Sequence, residues 1–155
     1  MAACWGGNNV GLKTGDQISV HNLLYGVLLR STNDTCIAIA QHFGKVVFDR
    51  LGYGEKEVEE ITSYFWNYHP NYIKYFLHSM NMVAKGIGLT DSYFDSPCGS
   101  ESNIYNISTA RDMCLLAHAV MSEPELRLIV SCRQHCCDPV DRKSFSAKPW
   151  QPSKK

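Results

Sequence analysis

The sequence predicts a mainly α-helical fold, and three observations support this prediction. Apolar residues recur at helical spacing, residues that favour helix N-caps precede these segments, and alternating strand patterns are scarce. We expect the first helix over about Val20 to Arg30, with Ser19 as its N-cap. Its apolar face comprises Leu23, Leu24, Val27 and Leu28.

Two further helices are expected in the middle of the chain. Asn33 or Asp34 can cap the second helix. Its inward side comprises Cys36, Ile37, Ile39 and Ala40. A third helix is expected from Glu55 to Tyr68, where Pro70 interrupts it, and it resumes to about Gly86.

Two helices are expected in the remainder of the chain. Ser108 can cap the fourth, and Pro124 suits the first turn of the fifth because its fixed φ fits a helix start. The inward side of the fourth comprises Met113, Leu116, Ala117 and Val120. Residues 86–106 between α-helical segments are expected to form loops.

Charge and hydropathy exclude several classes of partner. Fifteen basic and fifteen acidic residues give a formal net charge of zero, so we expect no nucleic acid and no anionic lipid as partner. The start of the chain lacks a basic segment followed by an apolar one, and Gly26 interrupts the apolar run from Leu23 to Leu29. We expect neither a signal peptide nor a membrane span in this sequence. Nothing in the sequence indicates a particular oligomeric state.

The most informative motif is Ser31-Thr32-Asn33, at the junction of the first two helices. The Ser31 hydroxyl can pass a proton, and the Asn33 carboxamide can both donate and accept hydrogen bonds. Together they could act on an amide substrate. The same residue types also end one helix and cap the next without any chemistry. On the tripeptide alone, both interpretations stay open.

The flanks of this motif resemble the low-molecular-weight D-alanyl-D-alanine carboxypeptidases, a family of penicillin-recognising serine peptidases. Gly11 to Val20 resembles the family's turn into a helix, and Asp34 to His42 resembles the helix that follows. Phe76 to Gly99 follows the family pattern of Met-Asn, Thr/Ser-x-Phe and Asn-Pro-x-Gly, with Ser96 in place of the usual Asn. Ser108 to Leu116 matches a Ser-Thr/Ser-Ala-x-Asp helix start.

This resemblance implies a fold, an activity and two site residues. Residues 1–137 would form the helical half of a β-lactamase/penicillin-binding-protein-like α+β transpeptidase fold without most of its sheet, and residues 138–155 a disordered tail. The family hydrolyses peptidoglycan stem peptides ending in D-Ala-D-Ala through an acyl-enzyme, outside the cytoplasm, and no cofactor is expected. As catalytic residues, Ser31 would protonate the departing amine and Asn33 would bind the substrate's backbone amide.

Two motifs of this mechanism are missing from their family positions. No serine has a lysine three positions later, so the Ser-x-x-Lys nucleophile is absent. Lys13-Thr14-Gly15 spells the Lys-Thr-Gly motif but precedes Ser31, whereas the family places it afterwards, and we interpret it as an ordinary turn. We therefore expect a truncated chain that is inactive alone. One alternative is a non-catalytic pseudoenzyme that binds peptidoglycan or a protein.

A second alternative is a small helical metal-binding module. Its ligands would be Cys132, His135, Cys136 and Cys137. Paired Cys-x-x-Cys spacing is absent, and two adjacent cysteines fit poorly around one tetrahedral ion, so we assign no metal ligand. We expect Cys36 and Cys114, on apolar helix faces, to be buried as small hydrophobic residues.

Overall fold

The structure is a computed structural model that describes residues 7–51, 72–99 and 106–136. These residues form five helices: α1 (Val20–Leu28), α2 (Asn33–Leu51), α3 (Ile73–Gly86), α4 (Ala110–Ser122) and α5 (Pro124–Ser131). Within these ranges there is no β-strand, although an isolated antiparallel bridge pairs Tyr93 with Ile107. The mainly α prediction is confirmed. The expected helix at Glu55–Tyr68 and the expected tail at 138–155 lie outside the described residues.

The described residues divide into two compact units, and the division falls within α2, after Ile39. The first unit comprises residues 7–39 and 123–136, with α1, the start of α2, and α5. The second comprises residues 40–51, 72–99 and 106–122, with the remainder of α2, α3 and α4. The Ser-x-Asn motif therefore belongs to the first unit.

In the first unit, α1 packs against α5. The Ser19 side chain accepts a hydrogen bond from the Asn22 N–H at 3.2 Å, which confirms the predicted N-cap of α1. A buried cluster of Tyr25, Leu29 and Ile129 joins the two helices. Partly buried residues around this cluster are Val10, Ile18, Leu24 and Cys132. Burial of this apolar surface holds α1, and thus the turn that follows it, in place.

In the second unit, α3 contributes five buried residues, most of which are apolar. The predicted resumption of a helix up to Gly86 is confirmed, since α3 spans Ile73–Gly86. Its buried residues are Ile73, Tyr75, Leu77, Asn81 and Ala84. The ring of Phe48 on α2 lies 5.0 Å from that of Tyr75, in a tilted aromatic contact.

The start of α4 differs from the prediction by one residue. The Asp112 N–H donates to Thr109 Oγ1 at 3.2 Å, so Thr109, and not Ser108, caps the helix. The Ser108 hydroxyl lies instead 2.8 Å from the Ser92 hydroxyl. By contrast, α5 begins at Pro124, as its sequence predicts.

The apolar face predicted for α4 is only partly buried. Leu116 and Val120 are half-buried, whereas Met113 and Ala117 are exposed. Cys114 is also exposed, so its predicted burial is wrong, and Cys36 on α2 is half-buried. None of the helices in the described part of the chain is both long and apolar enough to cross a membrane.

Candidate functional site

The turn between α1 and α2 places Ser31 in an unusual backbone conformation. Ser31 has a φ of 52°, in the left-handed region that L-residues other than glycine rarely adopt. Its N–H donates to the Val27 carbonyl oxygen at 3.1 Å, so Ser31 occupies the left-handed position that ends a helix. The side chain is exposed, and no described residue hydrogen-bonds to its hydroxyl. The turn therefore presents the Ser31 hydroxyl to solvent.

Thr32 connects the end of α1 to the start of α2. Its N–H and its hydroxyl both donate to the Gly26 carbonyl oxygen, at 3.2 and 3.0 Å. The Thr35 hydroxyl lies 2.6 Å from the Thr32 hydroxyl. Because α2 begins at Asn33, Thr32 stands at the N-cap position, and the prediction of Asn33 or Asp34 as the cap is wrong by one or two residues. Thr32 is fully buried, so its role is structural.

The two helices can approach closely at this point because position 26 has no side chain. A Cβ atom on Gly26 would lie 2.6 Å from Thr35 Cγ2. Thr35 itself is fully buried, so it has no free space to move into. Gly26 therefore sets the distance between α1 and α2 at the turn.

Asn33 is fixed by the segment that precedes α1. Its N–H donates to the Asn8 carbonyl oxygen at 2.8 Å, and the Asn8 carboxamide donates to the carbonyl oxygens of Arg30 and Ser31. The half-buried Asn33 side chain lies against Gly7, where a Cβ would be only 2.7 Å from Asn33 Nδ2. Segment 7–9 therefore positions both the backbone and the carboxamide of the motif.

The residue after the motif, Asp34, anchors the turn to the same segment. Its fully buried carboxylate accepts hydrogen bonds from the N–H groups of Val10, Gly11 and Leu12, with shortest distances of 3.1, 2.8 and 3.0 Å. It also accepts the Thr35 N–H at 2.9 Å. Four backbone donors satisfy a buried charge that would otherwise be strongly unfavourable. The motif is thus held by contacts to residues 22 to 24 positions earlier in the chain.

The structure brings Ser31 and Asn33, the two predicted site residues, onto this one turn. The supporting roles of Asn8, Asn9 and Asp34 were not predicted. The Asp34 N–H donates to Asn9 Oδ1 at 3.2 Å. In the sequence, the only signal for this segment is a pair of asparagines between glycines, which is typical of turns in general.

Lys13-Thr14-Gly15 forms a turn, as interpreted from the sequence. The Asp16 N–H donates to the Lys13 carbonyl oxygen at 3.1 Å, and the Lys13 N–H donates to the Asp16 carboxylate at 2.8 Å. Gly15 has a φ of 95°, which suits a turn and not an extended strand. This segment cannot serve as the strand motif that it spells.

The second unit contains two polar anchors within the segments that resemble the family. The buried Asn81 carboxamide accepts the Phe94 N–H at 2.8 Å and donates to the Phe94 carbonyl oxygen at 2.7 Å. The buried Asp112 carboxylate accepts the Ser92 hydroxyl and the Asp91 N–H, both at 2.8 Å. These contacts fix the loop after α3, and they explain the Met-Asn and Ala-x-Asp patterns as structural requirements.

Asp112 has a perturbed acidity. Burial alone would raise its pKa, but hydrogen bonds from Ser92, Asp91 and Thr90, together with the charge of Arg111, hold the pKa of Asp112 below its usual value. The carboxylate therefore stays ionised inside the fold, as an acceptor for the loop.

The Cys/His cluster does not form a metal site among the described residues. No three His, Cys, Asp or Glu side chains converge within the described ranges, and Cys137 lies outside them. The His135 ring stacks on Tyr25 with centroids 3.5 Å apart, and its Nε2 lies 2.8 Å from Asn22 Oδ1. The Cys132 thiol donates to the Leu128 carbonyl oxygen at 3.2 Å. His135 and Cys132 thus attach the end of the first unit to α1 and α5.

The helices and the Ser-x-Asn turn define the helical part of a penicillin-recognising serine peptidase fold. The structure resembles the crystal structure of the Streptomyces K15 DD-transpeptidase, with a TM-score of 0.70 and 25% identity over 96% of this chain and 49% of that one. It also resembles the D-alanyl-D-alanine carboxypeptidase DacD from Francisella tularensis, with a TM-score of 0.65 and 26% identity over 91% of this chain and 29% of that one. The predicted helical half of the family fold is confirmed.

Sequence comparison gives the same result. The chain is 34% identical over 112 residues to D-alanyl-D-alanine carboxypeptidase DacC of Escherichia coli, covering 72% of this chain and 21% of DacC. It is 28% identical over 131 residues to the D-alanyl-D-alanine carboxypeptidase of Streptomyces sp. K15, covering 84% of this chain and 38% of that enzyme. No family model matches the chain. The chain belongs to the D-alanyl-D-alanine carboxypeptidases as a partial domain, and it spans less than half the length of these curated relatives.

Proposed function

We propose that the Ser31–Asn33 turn recognises peptides ending in D-Ala-D-Ala, and that it supplies two catalytic residues to a D-alanyl-D-alanine carboxypeptidase. The observation that carries this proposal is the turn itself. It exposes the Ser31 hydroxyl in a left-handed conformation and holds the Asn33 carboxamide two residues away. A turn needed only to join two helices would more commonly have glycine at the left-handed position, because glycine adopts it without strain.

The proposed chemistry is a two-step acyl transfer. The serine of a Ser-x-x-Lys motif attacks the carbonyl carbon between the two D-Ala residues, forming an acyl-enzyme, and the terminal D-Ala leaves as the amine. Ser31 passes a proton to the departing nitrogen. The Asn33 carboxamide hydrogen-bonds the backbone amide of the acyl part and orients it. Water then hydrolyses the acyl-enzyme.

The attacking serine is not encoded in these 155 residues, because no Ser-x-x-Lys is present. We therefore expect the 155-residue chain alone to release no D-Ala from diacetyl-Lys-D-Ala-D-Ala and to form no covalent adduct with penicillin. An enzymatic D-Ala assay and intact-mass spectrometry after incubation with penicillin measure the two quantities. Release of D-Ala above the rate in buffer, or a mass increase equal to penicillin, would contradict this expectation.

Recognition can be tested separately from turnover. Binding of diacetyl-Lys-D-Ala-D-Ala to the chain is expected to weaken about tenfold in Asn33→Ala, which loses up to two hydrogen bonds to the peptide. Ser31→Ala is expected to change the affinity by less than about twofold, because proton transfer to the leaving group acts in the transition state. Gln17→Ala, which removes an exposed carboxamide in the same unit, is the matched control. Equal weakening by Asn33→Ala and Gln17→Ala would refute the proposed recognition.

The location of the missing nucleophile can be measured directly. We would capture the endogenous protein with an antibody against residues 60–80 and determine its intact mass. A mass well above that of 155 residues would place the nucleophile on the same chain. A mass equal to that of 155 residues would require a second chain to supply it, or would leave this chain with a binding role.

A further inference from the structure

A cavity in the second unit lies beside α3 and is lined mainly by apolar side chains. Its volume is about 310 Å³. Phe94, from the loop after α3, and Leu116, from α4, line it. The lining residues on α3 and at its C-cap recur at helical spacing and so form one row along the helix: Phe76, Met80, Val83 and Ile87.

The cavity offers few hydrogen bonds to water. Among the described residues that line it, Ser79 is the only polar one, and none is charged. A water molecule held in a cavity needs about two to four polar partners, so a site of this composition favours an apolar occupant. Val83 is 63% exposed, so the cavity opens to solvent on its side and a ligand can enter there.

The walls of the cavity are held in place by the two polar anchors of this unit. The Asn81 carboxamide on α3 makes hydrogen bonds of 2.8 and 2.7 Å to the N–H and the carbonyl oxygen of Phe94. The Asp112 carboxylate on α4 accepts the Ser92 hydroxyl and the Asp91 N–H from the same loop, both at 2.8 Å. Breaking such buried hydrogen bonds is costly, so the walls do not simply move together to fill the space. The cavity is therefore preformed.

The length and the volume of the cavity agree with one kind of occupant. Between Phe76 and Ile87 the chain rises by about 16 Å along the helix axis, at about 1.5 Å per residue. The volume of about 310 Å³ is roughly twice that of an apolar cavity of about 150 Å³ that holds benzene, so it has room for about twelve carbon atoms. Twelve carbon atoms in an extended chain span about 14 Å. A compact ligand with as many carbon atoms would be much shorter than the row of lining residues.

We propose that this cavity binds one unbranched hydrocarbon chain of about ten to twelve carbon atoms, with its polar end at the open side next to Val83. Fatty alcohols and acyl lipids carry such chains. The inference does not depend on the Ser31–Asn33 turn, which lies in the first unit. Binding is driven by removal of the chain from water, so each CH₂ group inside the cavity raises the affinity about fourfold, and groups beyond its end add little.

The test titrates the 155-residue chain, labelled with ¹³C at its methionine methyl groups, with straight-chain hexanol, octanol, decanol and dodecanol. The Met80 methyl resonance is expected to shift, with an affinity that rises about fourfold per CH₂ group from hexanol to decanol and then levels off. Met82 lies on the same helix, is exposed and is not among the lining residues, so its resonance is the internal control and should not shift. Decanol is expected to bind at least about ten times more tightly than adamantanol, which has the same number of carbon atoms in a compact cage.

A variant that fills the cavity tests its location. Ala84 lines the cavity, so Ala84→Leu occupies part of its volume and is expected to weaken decanol binding at least about tenfold. Ala110→Leu makes the same change at an exposed position of the same unit, outside the lining, and should keep the affinity. Vesicles of phosphatidylcholine distinguish the two sources of such a chain. Co-sedimentation with the vesicles assigns the site to a membrane lipid, and decanol binding without co-sedimentation assigns it to a free amphiphile.

Several outcomes would overturn the inference. These are an affinity that does not change with chain length, equal binding of decanol and adamantanol, equal shifts of Met80 and Met82, and unchanged binding in Ala84→Leu. If Ala84→Leu does not fold, the comparison of Met80 with Met82 in the unsubstituted chain decides the question.

Discussion

Replacing Ser31 by glycine should stabilise the protein while removing the proposed proton relay. A left-handed conformation costs an L-residue about 1 to 2 kcal/mol, which glycine does not incur. Glycine also gives the unfolded chain more freedom, which offsets about 0.4 to 1 kcal/mol of this gain. No described residue hydrogen-bonds to the Ser31 hydroxyl, so its loss removes no hydrogen bond within the described ranges. We expect Ser31→Gly to raise the free energy of unfolding by about 0.5 to 1 kcal/mol.

Ser31→Ala is the matched control, because alanine lacks the hydroxyl but keeps the backbone strain. Urea unfolding measures both variants; with a slope of about 2 kcal/mol per molar, Ser31→Gly should raise the midpoint by about 0.3 to 0.5 M, and Ser31→Ala should leave it near the starting value. If Ser31→Gly is no more stable than Ser31→Ala, the backbone strain at this position is absent, and the argument that the serine is retained for chemistry loses its physical basis.

Three further perturbations follow from contacts described above. Asp34→Asn replaces a carboxylate that accepts four N–H groups by a carboxamide, whose NH₂ group would face some of those donors without accepting from them. We expect the free energy of unfolding, measured in urea, to fall by about 2 to 4 kcal/mol. Unchanged stability would contradict the anchoring role of Asp34. Gly26→Ala places a Cβ 2.6 Å from Thr35 Cγ2 and should destabilise by about 1 to 3 kcal/mol, whereas Gly86→Ala, with open space around it, should not destabilise. The lowered pKa of Asp112 means that its contribution to stability is present above the ordinary carboxyl value of 3.8 and is lost as the pH falls through the lower folded value. As the pH falls through this acidic window, the free energy of unfolding should therefore decrease less steeply for Asp112→Asn than for the unsubstituted protein. Equal pH dependence of the two proteins would contradict the lowered pKa of Asp112.

The helices were largely predictable because their signals are local. Ser19 and Pro124 mark helix starts through their own side chains, and the structure places them as expected. The starts of α2 and α4 were each misplaced because Thr32 and Thr109, which precede these helices, stand next to polar residues that also favour the N-cap position. Sequence alone ranks such neighbours poorly, since the choice depends on contacts that each makes elsewhere in the fold.

The residues of the candidate site could be predicted from the sequence, but their arrangement in space could not. Ser31 and Asn33 were identified from their residue types and from the family resemblance. Their positions depend on Asn8 and on the N–H groups accepted by Asp34, which come from a segment more than twenty residues earlier. Backbone donors carry no sequence signature, because every residue except proline has one. The burial of α4 was overestimated for a related reason: periodicity shows which face is apolar but not whether anything covers it.

Gly7 has a diagnostic consequence for other members of the family. The Asn33 carboxamide occupies the space that a side chain at position 7 would fill, and Gly7 itself has a φ of 86°. A side chain at position 7 would thus displace the Asn33 carboxamide, and the left-handed φ would strain any residue other than glycine there. A related chain that keeps the asparagine but has lost this glycine should have moved its carboxamide. In a survey of short or divergent homologues, the glycine would therefore be a better marker of the Asn33 position found here than the asparagine alone.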